Sequence, residues 1–166
     1  MSDSNWRVLV SAPYMIPVLS EYKEFFRANK IEVVVAKVSE RLSETELFQW
    51  LPDVDGVISG DDHFTQRVLQ AFPRLKVISK WGTGIDSIDG EAAQRLGVRV
   101  YNTPGAFTDS VADSVMGYVL AFARRQPWMT ADMRAGRWHK VPCVALRECV
   151  LGVIGVGGIG RAVVKR

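Results

Sequence analysis

An α/β fold built on a doubly wound parallel sheet is expected for residues 1–103 of this sequence. Three observations lead there. Short β-branched runs recur, segments of helical spacing separate them, and the runs are nearly continuous in apolar character, as strands covered on both faces must be. The candidate strands are 7–11 (RVLVS), 31–38 (IEVVVAKV), 56–59 (GVIS), 75–79 (LKVIS) and 98–101 (VRVY). Their starts lie about 20–25 residues apart, the span of one strand plus one crossover helix.

The segments between them read as helices with definite ends. Over residues 18–30, Val18, Leu19, Tyr22, Phe25 and Phe26 follow helical spacing. Ser43-Glu44-Thr45-Glu46 has the form of a capping box, in which hydroxyl and carboxylate each satisfy a free backbone N–H. The helix it opens should end near Pro52, because a proline disfavours helix in the residue before it. Residues 65–72 form a third helix stopped by Pro73. Asp89 can cap a fourth at 90–96, with Gly97 as a left-handed exit. Five strands and their crossovers give a flavodoxin-like arrangement.

The pattern changes after Asn102-Thr103-Pro104-Gly105. That Pro-Gly pair introduces a long helix at about 109–125, with Val111, Val115, Met116, Tyr118, Val119 and Phe122 apolar. A second helical segment follows Pro127 and stops at Gly136. A strand at 149–154 then runs straight into Gly155-Val156-Gly157-Gly158-Ile159-Gly160. The reading is a domain at 1–103, followed at 104–166 by the truncated start of a Rossmann dinucleotide-binding domain.

Composition removes several function classes. With 48% hydrophobic and 23% charged residues the chain can bury a sizeable core, so disorder is excluded. No apolar run approaches the roughly 18 residues of a membrane span. The opening Met1-Ser-Asp-Ser-Asn lacks the basic and apolar regions of a signal peptide. Cys143 and Cys149 are too few for a disulfide framework and lack zinc-site spacing, so a reducing cytoplasm without a bound metal is expected. The net charge of +3 comes entirely from residues 161–166, which hold Arg161, Lys165 and Arg166 and no acid. A basic tip on a neutral body is no phosphate-binding face, and nucleic acid is set aside.

Gly-x-Gly-x-x-Gly is a weak signal alone. Here it follows an expected strand and opens an expected helix, the context in which it binds a dinucleotide. Gly155 permits the tight turn, Gly157 lets backbone approach a pyrophosphate, and Gly160 lets helix pack on strand, with free N–H groups facing the anion. A glycine-rich strand-to-helix turn without a ligand is the alternative. The acidic residue that grips the adenine ribose belongs about 20 residues further on. The expectation is that this chain is a fragment.

Three stretches together resemble the D-2-hydroxyacid dehydrogenases, with the phosphoglycerate dehydrogenase group as the nearest branch. Lys80-Trp81-Gly82-Thr83-Gly84-Ile85-Asp86-Ser87-Ile88-Asp89, followed by Gly97-Val98-Arg99-Val100-Tyr101-Asn102-Thr103-Pro104-Gly105, is similar to the end of their substrate domain. Phe107-Thr108-Asp109-Ser110-Val111-Ala112-Asp113 looks like the entry to their first cofactor-domain helix. Leu151-Gly152-Val153-Ile154-Gly155-Val156-Gly157-Gly158-Ile159-Gly160 resembles their dinucleotide loop, with Gly136-Arg137-Trp138 in the expected place before it. The resemblance is dense from residue 56 onward and loose before it.

The resemblance implies an oxidoreductase that moves hydride between a small 2-hydroxy or 2-oxo acid and NAD or NADP, as a cytoplasmic homodimer in its full-length form. Thr83 and Gly84 match positions whose main-chain N–H groups hold the substrate carboxylate. Glycine-rich backbone after a strand can turn its N–H groups to one point, although a plain turn would also use those residues. Thr108 matches a threonine near the cofactor, with local hydrogen bonding at the helix start as the other reading. Gly155, Gly157, Gly158, Ile159 and Gly160 match the pyrophosphate-binding loop. Trp138 resembles an aromatic placed at a dimer partner, or is a core residue. The family's catalytic histidine, glutamate and arginine all lie downstream of the glycine loop. No catalytic residue is therefore assigned here, and the 166-residue chain is expected to be inactive by itself.

The remaining polar residues receive plainer expectations. Asp86 and Asp89 suit turn and cap roles better than paired-carboxylate chemistry. His63 beside Asp61 and Asp62 reads as a solvated or capping residue near the ligand end of the sheet, and His139 as a solvated loop residue. Gly60-Asp61-Asp62 stands where phosphoglycerate dehydrogenases tend to carry basic or hydroxyl groups, and two carboxylates there would repel a phosphate. Two other classes compete with the dehydrogenase reading. The same scaffold resembles dinucleotide-sensing corepressors, a non-catalytic alternative. A signalling receiver shares the topology but needs an acidic pair after the first strand, where Ser11-Ala12-Pro13 stands.

Overall fold

The computed structural model describes residues 6–166. It divides into two compact units, one ending at Pro104 and the other running Gly105–Arg166. Each is taken by itself.

The first unit is the α/β layer. Strands β1 (Trp6–Val10), β2 (Ile31–Val35), β3 (Gly56–Ser59), β4 (Val77–Lys80) and β5 (Arg99–Tyr101) form one sheet in the order β2-β1-β3-β4-β5. Every pairing is parallel, with Leu9 opposite Val34 and Val57, and Ile78 opposite Val57 and Val100. The strand order reverses beside β1, so the carboxyl ends of β1, β3 and β4 meet where open α/β sheets take ligands.

Alternation along the strands explains how both faces are filled. Leu9, Val57 and Ile78 face a cluster completed by Leu47 of α2 (Glu44–Trp50), Val68 and Leu69 of α3 (Gln66–Ala71) and Ala92 and Ala93 of α4 (Gly90–Arg95). Their neighbours Val10 and Ile58 face the other side, with Ala12, Met15 and Phe26 of α1 (Lys23–Ala28). Each fully buried leucine among them, such as Leu47 or Leu69, contributes about 1.5–3 kcal/mol relative to exposure.

The helix ends obey the local chemistry. Ser43 and Glu46 form the reciprocal capping box, and Asp89 Oδ1 accepts the Ala92 N–H at 2.9 Å. Thr65 caps α3 by accepting the Val68 N–H. One expected helix differs. Residues 16–22 wind as a 3-10 helix before α1 begins. A three-residue repeat lines up Ile16 and Leu19 on one edge, and both pack on the second cluster, whereas Tyr22 and Phe25 stay exposed.

The second unit holds α5 (Thr108–Ala123), α6 (Gln126–Arg134), a 3-10 turn (Leu146–Glu148) and α7 (Gly158–Lys165). Helices α5 and α7 pack together, with Ala112 and Val163 buried. Arg166 closes that pair by donating to Asp113 at 2.5 Å and to Asp109 at 3.0 Å. The strand expected at 149–154 is absent: the segment joins no sheet, and Val150 and Ile154 are fully exposed. Apolar content supplies a strand's propensity but not its hydrogen bonds, and among the described residues no strand lies beside this one.

Candidate functional site

Two loops carry the residues singled out by the sequence, one in each unit. In the first unit the loop after β4 is fastened through its carbonyls. Gly82 O accepts from Thr103 N at 2.9 Å, and Thr83 O accepts from Asn102 Nδ2 at 2.6 Å. The Thr83 hydroxyl donates to Thr103 O at 3.2 Å. With the carbonyls and the hydroxyl engaged, the Thr83 and Gly84 N–H groups bond to no other described residue. Both residues are exposed at the carboxyl end of the sheet. Adjacent free N–H groups on a pinned loop suit a carboxylate.

Beneath this loop lies a polar cluster whose long-range contacts the local sequence pattern does not mark. The Lys80 side chain is 4% exposed, and its stem runs 3.3 Å from where a Cβ on Gly82 would sit. Its ammonium donates to Gly60 O at 2.6 Å and to the Asp61 carboxylate. Asp62, next in sequence, points inward and is fully buried. Its carboxylate accepts from Ser11 Oγ at 2.5 Å and from Leu42 N at 2.7 Å, tying the β1 end to two further loops. Burial pushes the Asp62 carboxyl above the usual carboxylate range, despite the opposing pull of those hydrogen bonds and of Lys80.

This geometry corrects the expectation that two carboxylates after β3 jointly repel an anion. Only Asp61 reaches solvent, and it is already paired with a lysine. Asp62 is a structural tie. Lys80 was the residue to notice: a lysine ending an apolar strand, directly before a glycine loop.

Of the other polar candidates, Asp89 caps α4, whereas Asp86 is exposed and engages no described hydrogen-bond partner. His63 is exposed, and Thr65 rather than His63 caps the following helix.

In the second unit the glycine loop has the stereochemistry its motif requires. Gly155 sits at φ +86°, open to glycine and costly for other residues. A Cβ on Gly160 would lie 2.1 Å from Gly155 O, so the turn exists only with glycine there. The loop delivers Gly157 as the residue preceding α7, and the first intrahelical bond runs from Arg161 N to Gly157 O at 3.0 Å. The N–H groups of Gly158, Ile159 and Gly160 therefore precede any helical partner. Thr108 Oγ1 stands 3.6 Å from the place of a Gly158 Cβ, beside the same helix start. These residues fit a dinucleotide pyrophosphate: Gly155, Gly157, Gly158 and Gly160 add no side-chain bulk, there is no carboxylate among them, and several donors precede any helical partner.

Elsewhere in this unit, Trp138 is 75% exposed and joins no core cluster of the described residues. His139 Nδ1 lies 3.3 Å from Asp132, whose carboxyl Arg137 and His139 hold below its ordinary range. His139 thus has a carboxylate partner beyond solvent. Among the described residues no cluster of His, Cys, Asp and Glu could hold a metal ion, and no helix is long and apolar enough to cross a membrane.

Residues 8–147 match the family model described as D-isomer specific 2-hydroxyacid dehydrogenase, catalytic domain. The chain is 39% identical over 141 residues to a hydroxypyruvate reductase of Thermotoga maritima, covering 83% of this chain and 45% of that protein. It is 38% identical over 147 residues to a D-3-phosphoglycerate dehydrogenase of Sus scrofa, covering 87% of this chain and 27% of that one. Among solved structures, an NADPH-dependent glyoxylate/hydroxypyruvate reductase from Sinorhizobium meliloti, in complex with NADP and malonate, superposes with a TM-score of 0.76 at 28% identity. That match covers 98% of this chain and 50% of the other. A protein from Thermus thermophilus matches with a TM-score of 0.74 at 33% identity, over 96% of this chain and 51% of that one. The chain thus spans less than half of the length of the two curated relatives. On the family match, which takes in most of its residues, the chain belongs to the D-isomer specific 2-hydroxyacid dehydrogenases.

Proposed function

We propose that this chain supplies the substrate-holding unit and the pyrophosphate loop of an NAD- or NADP-dependent D-2-hydroxyacid dehydrogenase of the cytoplasm, a homodimer in its full-length form. The observation that carries the reading is the pairing of two unbonded N–H groups at Thr83 and Gly84 with a glycine turn that tolerates no side chain at Gly160. Residues 1–103 act as the substrate domain and 104–166 as the opening of the cofactor domain.

In this reading the Thr83 and Gly84 N–H groups hold the carboxylate of a small 2-hydroxy or 2-oxo acid, fixing the orientation of its C2. Gly158 and Ile159 hold the dinucleotide pyrophosphate at the start of α7, where unpaired N–H groups and the helix dipole favour negative charge. Gly155, Gly157 and Gly160 shape the turn, and Thr108 Oγ1 adds a hydroxyl beside it. A bound nicotinamide would accept or donate the hydride. The proton of the substrate hydroxyl needs a general acid/base, and neither His63 nor His139 is set up for that role. Among the described residues His63 has no hydrogen-bonded carboxylate, and the partner of His139, Asp132, is tied to Arg137. The chain alone is therefore expected to lack turnover. The exposure of Trp138 supports a partner-facing position for it.

Fluorescence titration tests the reading. NADH should bind the 166-residue chain, and Gly160→Ala should weaken that binding at least about tenfold, the loss of one good anion contact. Mixing the chain with NADH and hydroxypyruvate or glyoxylate should give no protein-dependent fall in absorbance. Equal NADH binding by wild type and Gly160→Ala would remove the loop from the site, and robust turnover would refute the assignment of acid/base chemistry elsewhere.

A further inference from the structure

We infer that Asp61 is a specificity-determining residue: by occupying the Lys80 ammonium it excludes substrates with a phosphorylated tail and selects a short, unphosphorylated 2-hydroxy or 2-oxo acid whose far end carries a hydroxyl. The inference rests on the proposal that Thr83 and Gly84 hold the substrate carboxylate, and it goes further by naming what the neighbouring groups accept.

Lys80 is the cation that the fold places under this loop. Its stem passes beneath Gly82, so its ammonium lies beside the carboxylate loop, at the carboxyl ends of β3 and β4. A dianionic tail that reached this corner would meet that ammonium as its counter-charge. Yet the ammonium is already committed. Gly60 O takes one N–H and Asp61 takes another, and the side chain is 4% exposed. A phosphate could reach it only by displacing Asp61, leaving that carboxylate next to two or more negative charges, where like charges repel.

Asp62 cannot take over the role of Asp61 or move aside. It is fully buried and held by Ser11 and Leu42. This tie fixes the residue beside Asp61 and so keeps Asp61 at the mouth. The Asp61 side chain is 73% exposed while bound to Lys80. A carboxylate with one oxygen on an ammonium keeps lone pairs on the other. Its exposed side can accept a hydrogen bond from an alcohol, and the oxygens of an ionised phosphate offer no such donor. The same pair therefore rejects one tail and receives the other.

Amide 1H–15N spectra of the 166-residue chain provide the test, with D-glycerate and 3-phosphoglycerate titrated separately. For wild type, both acids should shift the Thr83 and Gly84 amides, and phosphoglycerate should bind no tighter than glycerate. Asp61→Ala, which frees the ammonium, should improve phosphoglycerate relative to glycerate by about tenfold, the scale of one charge-assisted hydrogen bond. Asp61→Asn should act in the same direction. The double variant Asp61→Ala with Lys80→Met should lose that gain, and its spectrum outside this corner reports whether the fold is kept. A wild type that prefers phosphoglycerate tenfold, or Asp61 variants that leave the ratio unchanged, would overturn the inference while leaving the carboxylate loop standing. Shifts of neither Thr83 nor Gly84 with either acid would overturn the loop reading and this inference together.

Discussion

Replacing Gly160 by alanine sets two known effects against each other and lets their sizes decide. In a helix, alanine is favoured over glycine by up to about 1 kcal/mol. Against that, the new methyl would lie 2.1 Å from Gly155 O and 3.1 Å from its carbonyl carbon. Ordinary carbon–oxygen contacts run at about 3.3–3.6 Å, so loop and helix must part by more than about 1 Å. Gly155 is held at φ +86°, and the atom struck is backbone, so no side chain can swing away. Overpacking of this kind costs about 1–3 kcal/mol, which outweighs the propensity gain. Gly158→Ala is the matched control, because its Cβ would meet only Thr108 Oγ1 at 3.6 Å, an ordinary contact. Urea unfolding followed by far-ultraviolet dichroism should show Gly160→Ala destabilised and Gly158→Ala unchanged or slightly stabilised. A Gly160→Ala protein at least as stable as wild type, or equal losses in the two variants, would refute the reasoning.

Three further outcomes follow from the same contacts. Asp62→Ala should cost about 1–3 kcal/mol in urea unfolding, since it strands the buried Leu42 N–H and leaves the Ser11 hydroxyl only its longer 3.4 Å contact to Ile58 O; a loss under about 0.5 kcal/mol would contradict the tie. Because burial raises the Asp62 carboxyl, the folded state holds more protons than the unfolded one between the ordinary carboxylate value and the raised one. The stability of wild type relative to Asp62→Asn should therefore fall as pH rises through that window, and a difference that grows with pH would reverse the sign. Asp89→Ala removes the cap on α4 and should lower stability by about 1 kcal/mol, whereas Asp86→Ala, with no described hydrogen bond to lose, should be near neutral by thermal unfolding.

What the sequence disclosed and what it hid divide along one physical line. Local interactions were legible: Ser43 with Glu46, Asp89 with Ala92 and the strand limits at 56–59 involve residues within a few positions of one another. The parallel order was legible too, because crossover spacing and doubly buried strands leave few topologies open. Cross-strand polar contacts were hidden. Ser11 meets Asp62 across 51 positions and Lys80 meets Asp61 across 19, and no periodicity marks either. Adjacent acids therefore looked alike, although one is buried beneath the sheet end and the other faces water. The segment 149–154 failed for a related reason, since strand propensity is local whereas a ladder needs a neighbour. In the candidate site, glycine positions were readable because φ and close approach constrain residue type. The pinning of Gly82 and Thr83 by Thr103 and Asn102 became visible only with β5 in place.

The most direct measurement is an amide map of the isotope-labelled chain exposed in turn to malonate and to NADH. Malonate should move Thr83 and Gly84, and NADH should move Gly157, Gly158 and Ile159, as two separate sets. Ligands that shift neither set, or that shift only residues remote from both loops, would contradict the account at its root.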